Sequence, residues 1–303
     1  MSTRSYSSTI RNSFFLPYLW VAPAFLYLLF FWGYPALYAL FLSMTNAKLG
    51  HTTLDFTGMA NYGRIMHDPL FWASLKNNGV LLFGSVLLEV SLGTAVALYL
   101  STPGNAGKGA LTIVLLLPWL FSELVSALTW RLIFREPFGL LNALLSEAGI
   151  TGIAWLGRPV SAMAALLVVS LWQGIGISSM VIFAALKAIP DRMLDLASMD
   201  GAIGWQRLWH VVLPQLRGVL LLDCLLVGIK SMGAFTMVFA LTGGGPGYAT
   251  EIIATYVYRL SFFHYELGYG SAVAMCLAFL FLLLAFLVFL VPRRMIVRGY
   301  EAV

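Results

Sequence analysis

The sequence predicts an all-α integral membrane protein, a bundle of six transmembrane helices, and three observations predict it. The first is composition: of 303 residues, 60% are hydrophobic and only 10% charged, with a mean hydropathy of +0.87. A water-soluble domain is nearer half apolar and a quarter charged, so too little polar surface exists here to coat a soluble particle. The second is segmentation. Apolar runs near 14–42, 76–100, 110–134, 160–186, 219–241 and 269–291 each reach the roughly twenty residues that cross a hydrocarbon core. The third is the placement of Lys and Arg. An even number of spans puts both termini on one side, and both are basic: Arg4 and Arg11 at one end, Arg293, Arg294 and Arg298 at the other. The positive-inside tendency then places both in the cytoplasm, N-in and C-in.

The elements follow in order. The first apolar run is longer than the hydrophobic region of a signal peptide, and no small-x-small cleavage site follows it, so it reads as a retained span. Residues 43–75, 135–159 and 242–268 become external loops, rich in Gly, Pro, Trp and Tyr. STPGNAGKG at 101–109 becomes a tight cytoplasmic turn carrying Lys108, and 187–218 a cytoplasmic loop carrying Lys187, Arg192, Arg207 and Arg217. Lys48, Arg64, Lys76, Arg131, Arg135, Arg158 and Arg259 fall outside, so the charge bias is modest. Trp32, Tyr34, Trp72, Trp130 and Trp155 lie near span ends, where aromatic belts form. Residues 1–303 read as a single membrane domain without internal repeats or low-complexity tracts.

Several function classes are excluded. Cys224 and Cys276 sit inside apolar runs and form no disulfide framework, and His51, His67, His210 and His264 lack metal-ligand spacing, so no metal site is expected. PGNAGKG at 103–109 fails as a phosphate loop because Gly109 stands where Ser or Thr belongs. TGGGPG at 242–247 follows a membrane span rather than a strand and lacks a Lys. No nucleophile–base or paired-carboxylate constellation is legible, so there are no catalytic residues, the chain is not an enzyme, and any energy source sits on another chain. No basic patch with interleaved aromatics invites nucleic acid.

Glu89, Glu123, Gln173, Asp223 and Lys230 lie within or near the spans. An ionised residue at the bilayer centre costs about 2.5–3.5 kcal/mol on insertion scales, so such residues face a bundle interior or a cavity. Lys230 is the deepest, and Asp223 precedes it by two helical turns on one face. Two readings stand for Lys230: contact with an internal acid, or a place on a solute pathway. The five groups do not form a proton-relay ladder, which counts against a self-sufficient, ion-driven secondary transporter, the alternative from another class.

The polar stretch LDLASMDGAIGWQRLWHVVLPQLRG, residues 194–218, stands out against this background. Pro190 and Asp191 suit a helix start, and Met193, Leu194, Ala197 and Met199 give that helix an apolar side. Asp200-Gly201 breaks it. Trp205, Leu208, Trp209 and Val212 then recur at helical spacing, predicting a second short amphipathic helix ending at Pro214. Such a segment either lies on membrane lipid or inserts into a soluble partner.

Asp195-Leu-Ala-x-x-Asp200-Gly201-Ala202 followed by Leu213-Pro214 resembles the E-A-A-x-x-D-G-A…L-P loop of ABC-importer permeases. Three further segments, in order, are similar to the maltose-permease-like, type I sugar-importer group: FTGMANYGRIMHDPLFWASLKNN at 56–78, WQGIGISSMVIFAALKAIPDRM at 172–193 and FALTGGGPGYATEIIATYVYRLSFFHYELGYGSA at 239–272. The resemblance implies a permease subunit in the bacterial inner membrane, working with a second homologous permease, two cytoplasmic ATPase subunits and an external solute-binding protein. Cofactors would be absent from this chain, with ATP and Mg on the partner ATPase. The 187–218 loop would be a coupling helix seated in the ATPase, its residues Asp195, Ala197, Asp200, Gly201, Leu208 and Pro214. Registry with the family places the substrate path near Trp172, Gln173, Gly174, Ile177, Lys230, Ser231 and Ala234. The chain departs from the pattern at Asp195, where the family has Glu, at Leu196, where it has Ala, and at Gly218, where many relatives have Pro. It also lacks the large external insertion of the maltose permease itself. The solute stays open among neutral sugars, polyols and anionic sugar derivatives.

Overall fold

The computed structural model describes residues 16–50, 54–102, 104 and 107–300. Arg4, Arg11, the first residues of the expected first span, His51 and positions 103, 105 and 106 of the 101–109 turn lie outside them. The described residues are helical throughout, apart from loops and one antiparallel bridge between Thr45 and Phe56. In chain order the helices are α1 (Leu16–Leu28), α2 (Tyr34–Ser43), α3 (Ala60–Met66), α4 (Pro69–Ser101), α5 (Lys108–Leu120), α6 (Glu123–Ile133), α7 (Leu140–Glu147), α8 (Pro159–Lys187), α9 (Asp191–Met199), α10 (Trp205–Arg207), α11 (Leu213–Met232), α12 (Phe235–Leu241), α13 (Ile253–Phe262) and α14 (Leu267–Tyr300). Among the described residues five helical stretches are long and apolar enough to cross a membrane: Trp20–Ser43, Pro69–Ser101, Pro159–Lys187, Trp205–Met232 and Leu267–Phe286. A sixth is added if α5 and α6 count as one broken span.

Two boundaries differ from the sequence reading, for local reasons. The expected unbroken span 110–134 is two helices meeting at 102°. Pro118 lies in the last turn of α5, Phe121 and Ser122 are extended, and the Ser122 hydroxyl accepts from Val125 N at 3.3 Å, capping a fresh helix. Leu120 and Phe121 are as apolar as the run before them, and only Pro118 and the short Ser122-Glu123 pair mark the break. The fifth expected span, 219–241, begins earlier and ends earlier. Pro214 does not end the helix that starts at Trp205: a π turn over Leu208–Val212 links α10 to α11, with Leu213 N donating to Leu208 O. The wider turn makes room for the Pro214 ring, which has no N–H to offer and would crowd the carbonyl one turn back. The same device, a π turn over Leu29–Gly33 just before Pro35, joins α1 to α2. At the other end α11 stops at Met232, and α12 restarts after Gly233 and Ala234.

The described residues form two compact units. One comprises residues up to Met66 with Leu260–Met275. In it the Asn61 amide donates to both Ser43 O and Thr45 O at 2.8 Å, and Arg64 pairs with Glu266 at 2.6 Å while lying over the Tyr269 ring. The other comprises His67–Arg259 with residues from Cys276 onward, and it holds the apolar cores. Here Asp68 caps α4 by accepting from Leu70 N and takes a 2.5 Å bond from the Tyr256 hydroxyl. Asn77 donates to Tyr248 O and Glu251 O, and Asn78 accepts from Ile253 N, so the start of α4 clamps the Gly-rich loop. Buried Glu251 meets Arg259 at 2.7 Å within that loop.

The interior of this unit is built on α4 and α8. Along α4 the buried face runs Ser74, Asn78, Leu81, Ser85, Glu89, Gly93 and Ala97, a stripe of small and polar residues in an otherwise greasy helix. The facing side of α8 buries Ala162, Ala165, Val169, Ser170, Gly174, Ser178 and Ser179. In a bilayer there is no hydrophobic drive to bring helices together, so association rests on close packing of small residues and on polar links. Gly93 shows how close: a Cβ there would lie 2.9 Å from Ser178 Cβ and 3.3 Å from Ser179 N. Substituting Gly93→Val is expected to cost about 1–3 kcal/mol through overpacking. Gly79→Ala on the same helix, where a Cβ meets nothing within 4 Å, is expected to leave stability unchanged or raise it. Melting temperatures of the detergent-purified protein would check the contrast.

Candidate functional site

Where α4, α8 and α11 converge with the bent α5–α6 pair and α12, they enclose a cavity of about 370 Å³. Six of the residues expected on a solute path line it: Gln173, Gly174 and Ile177 from α8, Lys230 and Ser231 from α11, and Ala234 beyond it. Trp172 does not; it points aside and meets the Trp130 ring edge-on at 5.7 Å. Ser231 turns its hydroxyl back to Val227 O, and Gln173 donates to Phe121 O at the α5–α6 break. The lining also includes Glu89, Trp119, Glu123, Ser170, Ser178, Asp223 and Met237, none of which the sequence placed on the path. A signal for Glu89 was nevertheless present, since it falls in the three- and four-residue stripe of small and polar positions along α4.

Lys230 contacts an internal acid, one the sequence did not name, and also lines the cavity. Its Nζ donates to Glu89 Oε1 at 2.6 Å and Oε2 at 2.7 Å, and to Ser170 O at 3.4 Å. The Ser170 hydroxyl donates to Glu89 Oε1 at 2.7 Å and receives from Ser85 at 3.2 Å. Three helices thus meet at one carboxylate: α4 supplies it, α11 the ammonium and α8 the hydroxyl. Glu89 is 1% exposed and Lys230 39%, so the pair stands at the cavity wall with its acid side sealed. Asp223, on Lys230's own helix, instead accepts from Ser178 at 3.2 Å, and its second oxygen is buried without a hydrogen-bond partner.

Gly174 lets this happen. A Cβ at that position would fall on Glu89 Oε2 and lie 2.5 Å from both Glu89 Cδ and Lys230 Nζ. The W-x-G element read from the sequence therefore serves the ion pair: its glycine is the floor on which the pair rests.

The second expected site is the loop between α8 and α11. Asp195, Asp200 and Gly201 are exposed, Ala197 is buried, and Leu208 packs with Leu194 on the small core formed by Ala97, Ile182, Val212 and Leu216. Pro214 is the exposed second residue of α11, away from this cluster in sequence. The Asp200-Gly201 break is a Schellman cap. Gly201 takes φ +81°, its N–H donates to Ser198 O at 3.1 Å, and Ala202 N donates to Ala197 O at 2.9 Å. Ala197 supplies the carbonyl that closes the cap, and its side chain is buried. The apolar side expected on α9 divides in two. Leu194 and Ala197 turn inward, while Met193 and Met199 stay exposed, Met199 at 83%; Leu196 and, beyond α9, Ile203, Trp205 and Trp209 are exposed as well. Trp205 and Trp209 brace each other edge to face at 5.6 Å. Exposed apolar side chains grouped in this way mark a contact surface, for membrane lipid or for a partner.

A family model described as "Binding-protein-dependent transport system inner membrane component" matches residues 85–297, most of the chain. The chain is 33% identical over 272 residues to the trehalose/maltose transport system permease protein MalF of Thermococcus litoralis, covering 89% of this chain and 90% of that one. It is 31% identical over 263 residues to the sn-glycerol-3-phosphate transport system permease protein UgpA of Agrobacterium fabrum, covering 85% and 87%. Its fold is similar to a chain in the crystal structure of a bacterial ABC transporter that imports the acidic polysaccharide alginate, with TM-score 0.80 and 21% identity, covering 95% and 98%. The ion-pair geometry makes its own prediction. Gly174→Ala is expected to cost about 2 kcal/mol or more, because the methyl displaces a buried charge pair. Gly228→Ala on α11, whose Cβ would meet only side-chain carbons at 3.6 Å and beyond, is expected to cost under about 1 kcal/mol. Thermal unfolding of the purified variants would read the difference.

Proposed function

The chain belongs to the family of binding-protein-dependent transport system inner membrane components, and on that premise we propose that it forms half of an ATP-driven import path for a sugar or sugar-like solute. The cavity at Glu89, Gln173, Gly174, Ile177, Lys230, Ser231 and Ala234 is this chain's contribution to that path. A second permease supplies the other half, an external binding protein delivers the solute, and two cytoplasmic ATPase subunits bind ATP and Mg. Both termini and the 187–218 loop face the cytoplasm in this reading, consistent with Lys187, Arg192, Arg207 and Arg217 in the loop. The relatives named for trehalose/maltose and sn-glycerol-3-phosphate support a carbohydrate-sized cargo.

One observation carries the mechanism. The helix that begins at the elbow, Trp205, continues without interruption to Met232 and presents Lys230 to the cavity. At 1.5 Å per residue, Leu208 and Lys230 are about 33 Å apart along one stiff element. A push on the knob therefore arrives at the cavity wall as a rigid displacement. The ATPase grips Leu196, Met199, Ile203 and Trp205, while Asp195 and Asp200 supply polar anchors and Gly201 holds the turn. Closure of the ATPase pair on ATP then moves α11, and with it the Lys230 side of the cavity, between inward-open and outward-open arrangements. Ions need not drive the cycle, so the secondary-transport alternative is set aside.

The experiment is direct. Gly201→Asp puts a charged side chain at the tip of the turn, where a Cβ meets nothing within 4 Å. Asp tolerates the left-handed backbone better than most residues, so the change adds charge to the knob while leaving α8 and α11 intact. ATP-dependent uptake by the reconstituted complex is expected to fall more than about tenfold while ATP hydrolysis persists. Cysteine in place of Met199 is expected to crosslink to the ATPase subunit. Uptake unaffected by Gly201→Asp, together with Met199 crosslinks only to lipid, would remove the proposal.

A further inference from the structure

We infer that the cavity selects solutes that carry hydroxyl or ammonium donors and no negative charge, and that it discriminates against carboxylated, phosphorylated or sulfonated sugars. The inference rests on reading this cavity as the solute path, and it goes beyond that reading because the relatives divide on charge. One is named for trehalose/maltose and another for sn-glycerol-3-phosphate.

The charged side chains lining the cavity, among the described residues, are Glu89, Glu123, Asp223 and Lys230. The single ammonium is paired internally: it donates to Glu89 Oε1 at 2.6 Å and Oε2 at 2.7 Å, with Ser170 O at 3.4 Å. Its charge is already matched by Glu89, which counts against the expectation that a lysine in a transport path marks an anionic cargo. Once Glu89 and Lys230 cancel, Glu123 and Asp223 remain as the field that a solute meets. Asp223 is 1% exposed, and its Oδ2 is buried with no hydrogen-bond partner. A buried carboxylate oxygen without a donor is costly to leave so, and a donor brought by the solute relieves it. An anion placed there meets like charge in a poorly screened setting and offers acceptors to acceptors. Trp119 also lines the cavity, and an aromatic side chain suits the C–H side of a pyranose ring.

Three probes that share one ring scaffold test this: glucose, glucosamine and glucuronate, neutral, cationic and anionic at pH 7. The complete complex, without binding protein, carries Ile177→Cys as a reporter at the cavity wall, with Cys224 and Cys276 replaced by Ser. Protection of that thiol from a maleimide is measured against probe concentration. Glucose and glucosamine are expected to protect at concentrations at least about tenfold lower than glucuronate. Adding Asp223→Asn is expected to shrink the ratio between glucosamine and glucuronate at least about fivefold, a change in selectivity that mere loosening of the fold does not produce. Glucuronate protecting as well as glucose overturns the inference, as does a lack of protection by any probe up to about 100 mM, or a ratio unmoved by Asp223→Asn. The permease reading is scored separately, by ATP-dependent uptake with the binding protein present, so a charge-blind cavity in an active importer refutes only the inference.

Discussion

The bundle is organised around a carboxylate that has nowhere to go. Glu89 is sealed between α4, α8 and α11 and is stable there only because Lys230 grips both its oxygens and Ser170 donates to one of them. Desolvating a carboxylate and an ammonium is expensive, and replacing such a pair with packed apolar groups is often neutral or stabilising. Its retention is therefore better explained by placement than by stability. The pair fixes the rotation of α4 and α11 relative to α8, requires glycine at 174, and sets the electrostatic character of the cavity beside it. Close approach of α4 and α8 at Gly93 does for shape what the pair does for register.

On the proposed reading, force and specificity are carried by different ends of the same helix. Near its start, the Schellman cap at Gly201 and the Trp205–Trp209 pair shape a knob whose apolar side chains are held out from the fold. Near its end, Lys230 stands in the cavity wall. The π turn before Pro214 is what keeps these two regions continuous: a normal α turn there would have met the proline ring and kinked or stopped. Asp68, Asn77 and Asn78 tie the start of α4 to the Gly-rich loop and α13. All these motif residues were readable as part of a pattern; their physical work is capping, clamping and clearance.

The fold class was legible because hydropathy reports the solvent directly: a chain this apolar has few choices, and its runs are long enough to count. The polar loop was legible for the complementary reason, since Asp-Gly at a helix end has a defined backbone meaning. What escaped was geometry that hydropathy does not encode. The 102° break between α5 and α6 turns on Ser122 acting as a cap amid apolar neighbours. Pro214 looked like a terminator because a π turn cannot be read from periodicity. Asp223 looked like Lys230's partner because shared helical face is the only proximity a single helix reveals, whereas Glu89 comes from a segment 141 residues away. The stripe from Ser74 to Ala97 would have pointed inward, had small and polar positions been tracked as closely as hydrophobic ones.

The central claim is that Glu89 and Lys230 act as one unit, and a double-mutant cycle tests it most directly. Unfolding of the purified complex would be measured for Glu89→Met, Lys230→Met and the double variant. Lys230→Met leaves the buried Glu89 carboxylate unmatched and is expected to cost about 3 kcal/mol, Glu89→Met leaves a partly exposed ammonium and costs less, and the double variant returns to within about 1 kcal/mol of the parent. Single effects that simply add in the double variant would contradict the account.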